Sequence, residues 1–306
     1  MELIRKGEEK YPKLLEGIKN APQELYVNGD IECLKLPCIT VVGSRNMSDY
    51  GKKMTRKIVK ELTLAGMCIV SGLAVGIDSI AHQTCLENGG KTVAVIGAGL
   101  NNVYPPENVG LYNEILKHQG CVLSEYEPDT EAQKLFFPAR NRIVSGLSLG
   151  TLVVEATYRS GTSITAKFAF DQGRKVFCVP NCIGNKNSCG TINLIKKGAT
   201  LITSGDEILY HLGIIKELED FEEMVEQQRI NKVNILEQDS LSQLDEQAKT
   251  VYFYIKENGV ANSEIISSKL NISIQDINMY LTILELKGLI INKHGNNYSL
   301  RDELYV

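Results

Sequence analysis

Residues 39–45 read ITVVGSR, a β-branched run that stops at Gly43 and presents Ser44 and Arg45 where a helix is about to begin. A strand, a glycine and a helix start in succession expose backbone N–H groups, to which Ser44 adds a hydroxyl and Arg45 a planar guanidinium. That combination predicts an anion site. The arrangement recurs about thirty residues on, where MCIVSGLAVGID (67–78) runs from an apolar strand through Ser71, Gly72 and Gly76 into a helix with Asp78 in its first turn. Turns at the ends of neighbouring strands of an open α/β sheet converge on one crevice, so the pair predicts a groove for more than one phosphate. Asp78 is expected to support its helix, because a carboxylate beside phosphate repels it.

Outward from these turns, the chain between Pro37 and Tyr210 alternates short β-rich runs with amphipathic stretches. Strand candidates are 39–43, 67–72, 91–97, 121–125, 151–156, 175–180 and 199–203. Among the helix candidates, YGKKMTRKIVKELTLAG places Met54, Ile58, Leu62 and Ala65 on one face and ends at Gly66. The fold class is α/β: a Rossmann-like, doubly wound, mainly parallel sheet over residues 37–210, preceded by a lead-in segment, 1–36. Residues 211–245 read as an acidic linker. Residues 246–306 change grammar to three helices and a β-like pair, the pattern of a small C-terminal winged-helix domain.

The net charge of −4 conceals an asymmetry. Residues 1–210 hold 24 Lys and Arg against 21 Asp and Glu, residues 211–245 hold 3 against 9, and residues 246–306 hold 6 against 7. The acid is concentrated in the linker, so the average does not argue against a nucleic-acid partner. No apolar stretch approaches the roughly 20 residues of a membrane helix, and the first residues lack the apolar middle of a secretory signal; a cytoplasmic protein is expected. The eight cysteines include no Cys-x-x-Cys pair and fall mostly in apolar strands, which predicts buried reduced thiols. Cys178, Cys182 and Cys189 match no common zinc spacing, and no metal is expected.

Two further stretches carry chemistry. FPARNRIVSGLS (137–148) follows Phe136 and sets Arg140, Asn141 and Arg142 together. Helix positions i and i+2 point different ways, so at most one of the two arginines is expected in the groove while the other supports the sheet or pairs with acid. Phe137 offers a face on which a base can stack, or else belongs to the core. In GTLVVEATYRSGTSIT (150–165) a strand is followed by Arg159, Ser160, Gly161, Thr162, Ser163 and Thr165 at a helix entry, another phosphate-compatible turn. The Gly97–Gly99 pair begins a dinucleotide fingerprint, but Asn102 occupies the third glycine position, and no Gly-x-x-x-x-Gly-Lys-Ser/Thr loop occurs. No cofactor is expected. His82 lies among small and apolar residues without a Ser or Cys partner, and reads as structural.

With GSR, SGLAVGID, GAGLNNVYPPEN, FPARNRIVSGLS and EATYRSGTSIT in this order and spacing, the chain resembles the DNA-processing protein A family (DprA, also called Smf) over residues 10–210. The resemblance implies a non-enzymatic, homodimeric protein that binds single-stranded DNA and helps load a RecA-type recombinase in natural transformation. It also implies that Ser44, Arg45, the Ser71–Gly76 turn with Gly72, Phe137, Arg140, Asn141 and Arg142 line the DNA groove, joined by the turn holding Ser160, Gly161, Ser163 and Thr165. Some members carry a helical hairpin ahead of YPKLLEGIKN, for which this chain has no room. Some have Lys where this chain has Pro106, which puts more weight on Arg45.

The terminal domain is expected to contact protein in preference to DNA. Its second long helix offers Gln275, Asn278 and Lys287 against Asp276 and Glu285, where duplex readers carry basic and amide side chains; Lys293, His294 and Asn296–Asn297 weigh the other way. A rival from the enzyme class is a hydrolase of nucleoside monophosphates, with Glu155 as its acid. Those enzymes place a glycine pair ahead of the Gly-Thr and the acid after it, an order this chain reverses.

Overall fold

Five of the strands are buried along their whole length, which is why they read as continuous apolar runs without alternation: β3 (Cys38–Val42), β4 (Cys68–Ser71), β5 (Thr92–Val95), β6 (Cys121–Ser124) and β7 (Gly150–Val153). With β1 (Glu2–Arg5), β2 (Glu24–Gly29), β8 (Lys175–Cys178) and β9 (Thr200–Leu201) they form one nine-stranded sheet, in the order β1-β2-β6-β5-β4-β3-β7-β8-β9. The computed structural model describes residues 1–158, 160–216, 241–242, 244–293 and 295–300. Strands β3 to β9 run parallel to one another, with Ile39 opposite Ile69 on one side and Gly150 on the other. The order reverses between β3 and β7, the position where an open α/β sheet opens a crevice beyond its carboxyl ends.

The sheet has two more strands than the alternation after Pro37 predicts. Strand β2 pairs antiparallel with β6, Val27 opposite Leu123, and β1 pairs antiparallel with β2. The segment 1–36 is therefore part of the sheet, not a lead-in. Strand β1 buries only Ile4 fully, and β2 alternates buried Leu25 and Val27 with half-exposed neighbours, the signature of an edge covered on one face.

Helices α1 (Lys13–Glu16), α2 (Asp49–Leu64), α3 (Ile77–Glu87), α4 (Val109–Lys117), α5 (Phe136–Gly146), α6 (Gly161–Asp171), α7 (Cys189–Lys196) and α8 (Gly205–Leu212) cover both faces. One face packs Val42, Val70, Val95 and Leu123 against Ile143 and Val144 of α5 and Ala166 and Ala169 of α6. The other packs Ala94 and Val122 against Leu111 and Ile115 of α4. Helix α2 is started by Ser48, whose Oγ accepts from Gly51 N at 3.0 Å, and is followed by Gly66 at φ +79°; it buries Ile58, Val59 and Leu62.

The chain divides into two units, residues 1–221 and 222–306. The second holds α9 (Glu246–Asn258), β10 (Val260–Asn262), α10 (Ser263–Leu270), α11 (Ile274–Leu286), β11 (Ile290–Lys293) and β12 (Asn297–Leu300). Asp245, Asn262 and Ser273 cap the three helices, and the strands form an antiparallel sheet in the order β10-β12-β11. Val251, Ile255, Ile266, Ile277, Leu281 and Leu284 fill a core of its own. Of the segment expected to be a linker, His211 and Leu212 end α8, and residues 217–240 and 243 lie outside the described residues, as do Arg159, His294 and 301–306.

Candidate nucleic-acid interface

Beyond the ends of β3 and β7 lies a cavity of about 870 Å³, lined by Ser44, Arg45, Gly72, Phe137, Arg140, Asn141, Ser160, Gly161 and Thr165, together with Tyr104, Lys134, Lys186 and Asn187. The sequence motifs thus meet in one place. Arg45 is exposed, with its Cζ 5.8 Å from the centroid of the Phe137 ring; the Tyr104 ring lies 5.3 Å on from Phe137. Among the described residues no carboxylate pairs with the Arg45 guanidinium. A cation stacked on an aromatic face and left with free N–H groups can meet phosphate while the ring beside it meets a base.

The turn holding Arg45 is fixed by α3. Ile77 N donates to Ser44 O at 3.2 Å, and Ser44 Oγ accepts from Asn46 N at 3.2 Å. Gly76 sits at φ +90°, and a Cβ there would lie 2.4 Å from Ser44 O and 2.6 Å from Arg45 O. Only glycine permits that approach. From the other side, Thr162 Oγ1 donates to Gly43 O at 3.0 Å and docks the start of α6 on the end of β3. Ser160 caps α6, accepting from Ser163 N at 3.4 Å.

Beneath the cavity lies a buried charged cluster. Asp78 Oδ2 accepts from Gly72 N at 3.1 Å, so the carboxylate shapes the Ser71–Gly76 turn. Arg140 is 5% exposed; its Nη1 donates to Gly72 O at 2.7 Å and to Val95 O, and its Nε to Asn141 Oδ1 at 3.2 Å. Burial raises the Asp78 pKa although Arg140 opposes it, and burial lowers that of Arg140 to about 10 although Asp78 opposes that. Both groups are committed to holding the floor.

Several expectations are corrected. Ser71 is fully buried, and its hydroxyl donates to Val41 O at 2.6 Å, stitching β4 to β3; it does not face the groove. Arg140 reaches the cavity only as part of its floor. Arg142 points away, its Nη1 donating to Glu125 Oε2 at 2.7 Å and its Nε to Asn20 O at 2.9 Å. Neither arginine of the FPARNR stretch is free for a ligand, because each lies beside an acid distant in sequence. Ser163 Oγ lies 3.3 Å from Ser160 Oγ, within the cap, and Thr165 Oγ1 turns back to Gly161 O at 3.5 Å. The Ser44–Arg45 turn precedes α2 by a loop and does not sit on its first turn.

Glu155 is fully buried. Its Oε2 accepts from Ser48 N at 2.9 Å and Asn187 Nδ2 at 3.2 Å, and its Oε1 accepts from Ser48 Oγ and from Asn181 Nδ2 at 3.4 Å. This carboxylate ties the end of β7 to the start of α2 and to the 181–187 loop. His82 is buried with Nδ1 2.7 Å from Thr92 Oγ1, a structural histidine as expected. Motif reading missed Tyr104, although it lies within the GAGLNNVYPPEN stretch, and also Lys134, Lys186 and Asn187, which come from loops with no motif of their own; the one signal there was the lone cation, Lys134, just ahead of the Phe136–Phe137 pair.

Comparison with known proteins identifies the family. The family described as DNA recombination-mediator protein A matches residues 2–213. Protein Smf of Synechocystis is 35% identical over 312 residues, covering 95% of this chain and 78% of that protein. DNA processing protein DprA of Streptococcus pneumoniae is 46% identical over 199 residues, covering 65% of this chain and 70% of that protein. Its crystal structure superposes with a TM-score of 0.65 at 44% identity, over 68% of this chain and 73% of that one. DNA processing protein A of Helicobacter pylori, solved to describe its single-stranded DNA binding mode, gives a TM-score of 0.62 at 32% identity, over 69% of this chain and 96% of that one.

Proposed function

This chain belongs to the DNA recombination-mediator protein A family, and from that premise we propose that its groove holds a single strand of DNA, without catalysis. The observation that carries the reading is the Arg45–Phe137–Tyr104 cluster lining the groove, one guanidinium without a carboxylate partner among the described residues beside two rings. Phosphates meet Arg45, Lys134 and Lys186, and bases stack on the rings with little sequence choice. The absence of a dinucleotide fingerprint and of an ATPase loop supports a polymer in place of a nucleotide cofactor.

A gel-shift titration across salt tests this. The logarithm of affinity for a single strand falls with the logarithm of salt at a slope of about −0.7 per phosphate neutralised. Arg45→Ala is expected to weaken binding strongly and to make the slope shallower by about 0.7; an unchanged slope removes Arg45 from the site, and salt-insensitive binding removes the reading. The rival, hydrolysis of nucleoside monophosphates, loses its acid, since the four hydrogen bonds of buried Glu155 are spent on holding the fold.

The same reading makes the chain a cytoplasmic homodimer that passes its strand to a RecA-type recombinase in natural transformation; here the family likeness alone is the support. Among the described residues no helix is long and apolar enough to cross a membrane. The second unit fits a winged helix. The outward face of α11 carries Asp276 and Glu285 with exposed Met279 and Leu286, which favours a protein contact over a duplex.

A further inference from the structure

Helix α2 leads away from the groove with Lys52, Lys53, Arg56, Lys57 and Lys60 all exposed. At 3.6 residues per turn they fall within an arc of about 140°, opposite the buried Ile58, Val59 and Leu62. Against these five cations the helix sets only Asp49 and Glu61, a net +3 on a chain that totals −4. An ordinary solvated face interleaves its lysines with acids at i+4. Here two acids stand four residues from a lysine, Asp49 before Lys53 and Glu61 after Lys57, and among the described residues only the second pair is in contact, at 4.0 Å; Arg56 reaches Glu87 at 3.7 Å, and Lys57 Nζ also donates to Thr203 O at 3.3 Å. Lys52, Lys53 and Lys60 have no ion-pair partner among the described residues.

The stripe is continuous with the groove. Asn187 Nδ2, beside Lys186 in the groove wall, donates to Asn46 O at 3.0 Å, next to Arg45. Tyr50 opens the helix with 40% of its surface exposed, held by its hydroxyl donating to Pro180 O at 2.8 Å, and Lys53 and Lys57 follow it at i+3 and i+7. Cations therefore run from Arg45 and Lys186 onto α2 past an exposed ring.

We infer that this face of α2 carries the backbone of the single strand as it leaves the groove, an extension that rests on the groove reading. Lys52 to Lys60 spans about 12 Å of helix, and the three lysines along it without an ion-pair partner can neutralise about three phosphates. Lys52, Lys53 and Lys60 supply the charges, and the Tyr50 ring offers a stacking face at the turn between groove and helix.

The test compares wild-type full-length chain with the triple variant Lys52→Gln, Lys53→Gln, Lys60→Gln on two oligothymidylates, one of about six nucleotides that fills only the groove and one of about twenty. Circular dichroism checks that the exposed substitutions leave the fold intact. The salt slope on the long strand is expected to become shallower by about 2 and that on the short strand to stay as it was, while the matching Lys→Arg triple restores the long-strand slope. A long-strand slope unchanged in the Gln variant overturns the proposal and leaves the groove reading standing, as does an equal change on both strands. Failure of the wild type to bind either length overturns the groove reading and the proposal with it.

Discussion

His82 shares its Nδ1 with Thr92 Oγ1, and that hydroxyl already donates its one proton to Ile69 O at 2.7 Å. The hydroxyl must therefore accept, which fixes the neutral ring with its proton on Nδ1 and leaves Nε2 without a partner among the described residues. Burial, and then the charge of Arg140, lower its pKa to about 3. An unfolded His takes up its proton near pH 6.5, so between there and pH 3 the unfolded state binds a proton that the folded state refuses. Stability is then lost as pH falls, by up to about 1.4 kcal/mol per pH unit from this residue. Asp78 and Glu61, each with its pKa raised by burial, work in the opposite sense, so the histidine's share is read from the difference between wild type and a His82 variant. Urea midpoints at pH 7, 6 and 5 check this: the wild type declines across the series, and His82→Gln, weaker at pH 7, declines less.

Between elements, the close approach of the α3 start to the β3 turn rests on Gly76. Gly76→Ala adds about 1–3 kcal/mol of backbone strain and pushes the Ser44–Arg45 carbonyls aside, so it is expected to lower both the unfolding midpoint and the affinity for single strands. Gly66, also at positive φ but with nothing near its Cβ position, is the control: Gly66→Ala costs stability and spares binding. Thermal melts and strand titrations on both variants check the contrast. Seven strands were legible, the five central ones because burial on two faces writes continuous apolar runs into the chain. The β1–β2 pair was not, since four residues with one buried Ile make no pattern. In the site, Arg45, Phe137 and the glycine turns were legible from strand ends and helix starts. Ser71 and Arg142 turn away from the cavity because a sequence does not say which way a side chain turns at a sheet end, and Arg140 lines it only as floor; the acids beside the two arginines, Asp78 and Glu125, are not their neighbours along the chain.

For the whole molecule, the two units have separate cores: the first holds no residue of the Leu244–Ile290 cluster, and the second none of the sheet. A fragment of residues 1–216 is therefore expected to fold, by circular dichroism and size exclusion, and to give a strand-binding curve that overlays that of the full chain at equal salt; weaker binding assigns part of the affinity to the second unit. Within the first unit the groove has no single owner, since its walls come from the end of β3, the turn between β4 and α3, α5, α6 and the loops holding Tyr104 and Lys186. The site exists only when all of them are in place, so a bound strand draws on the entire unit. Held at about one hundred times its dissociation constant, it adds about 2.7 kcal/mol to the free energy of unfolding that unit as a whole. On the groove reading a bound strand is thereby also a brace, and a chain stripped of it is the one a protease reaches first.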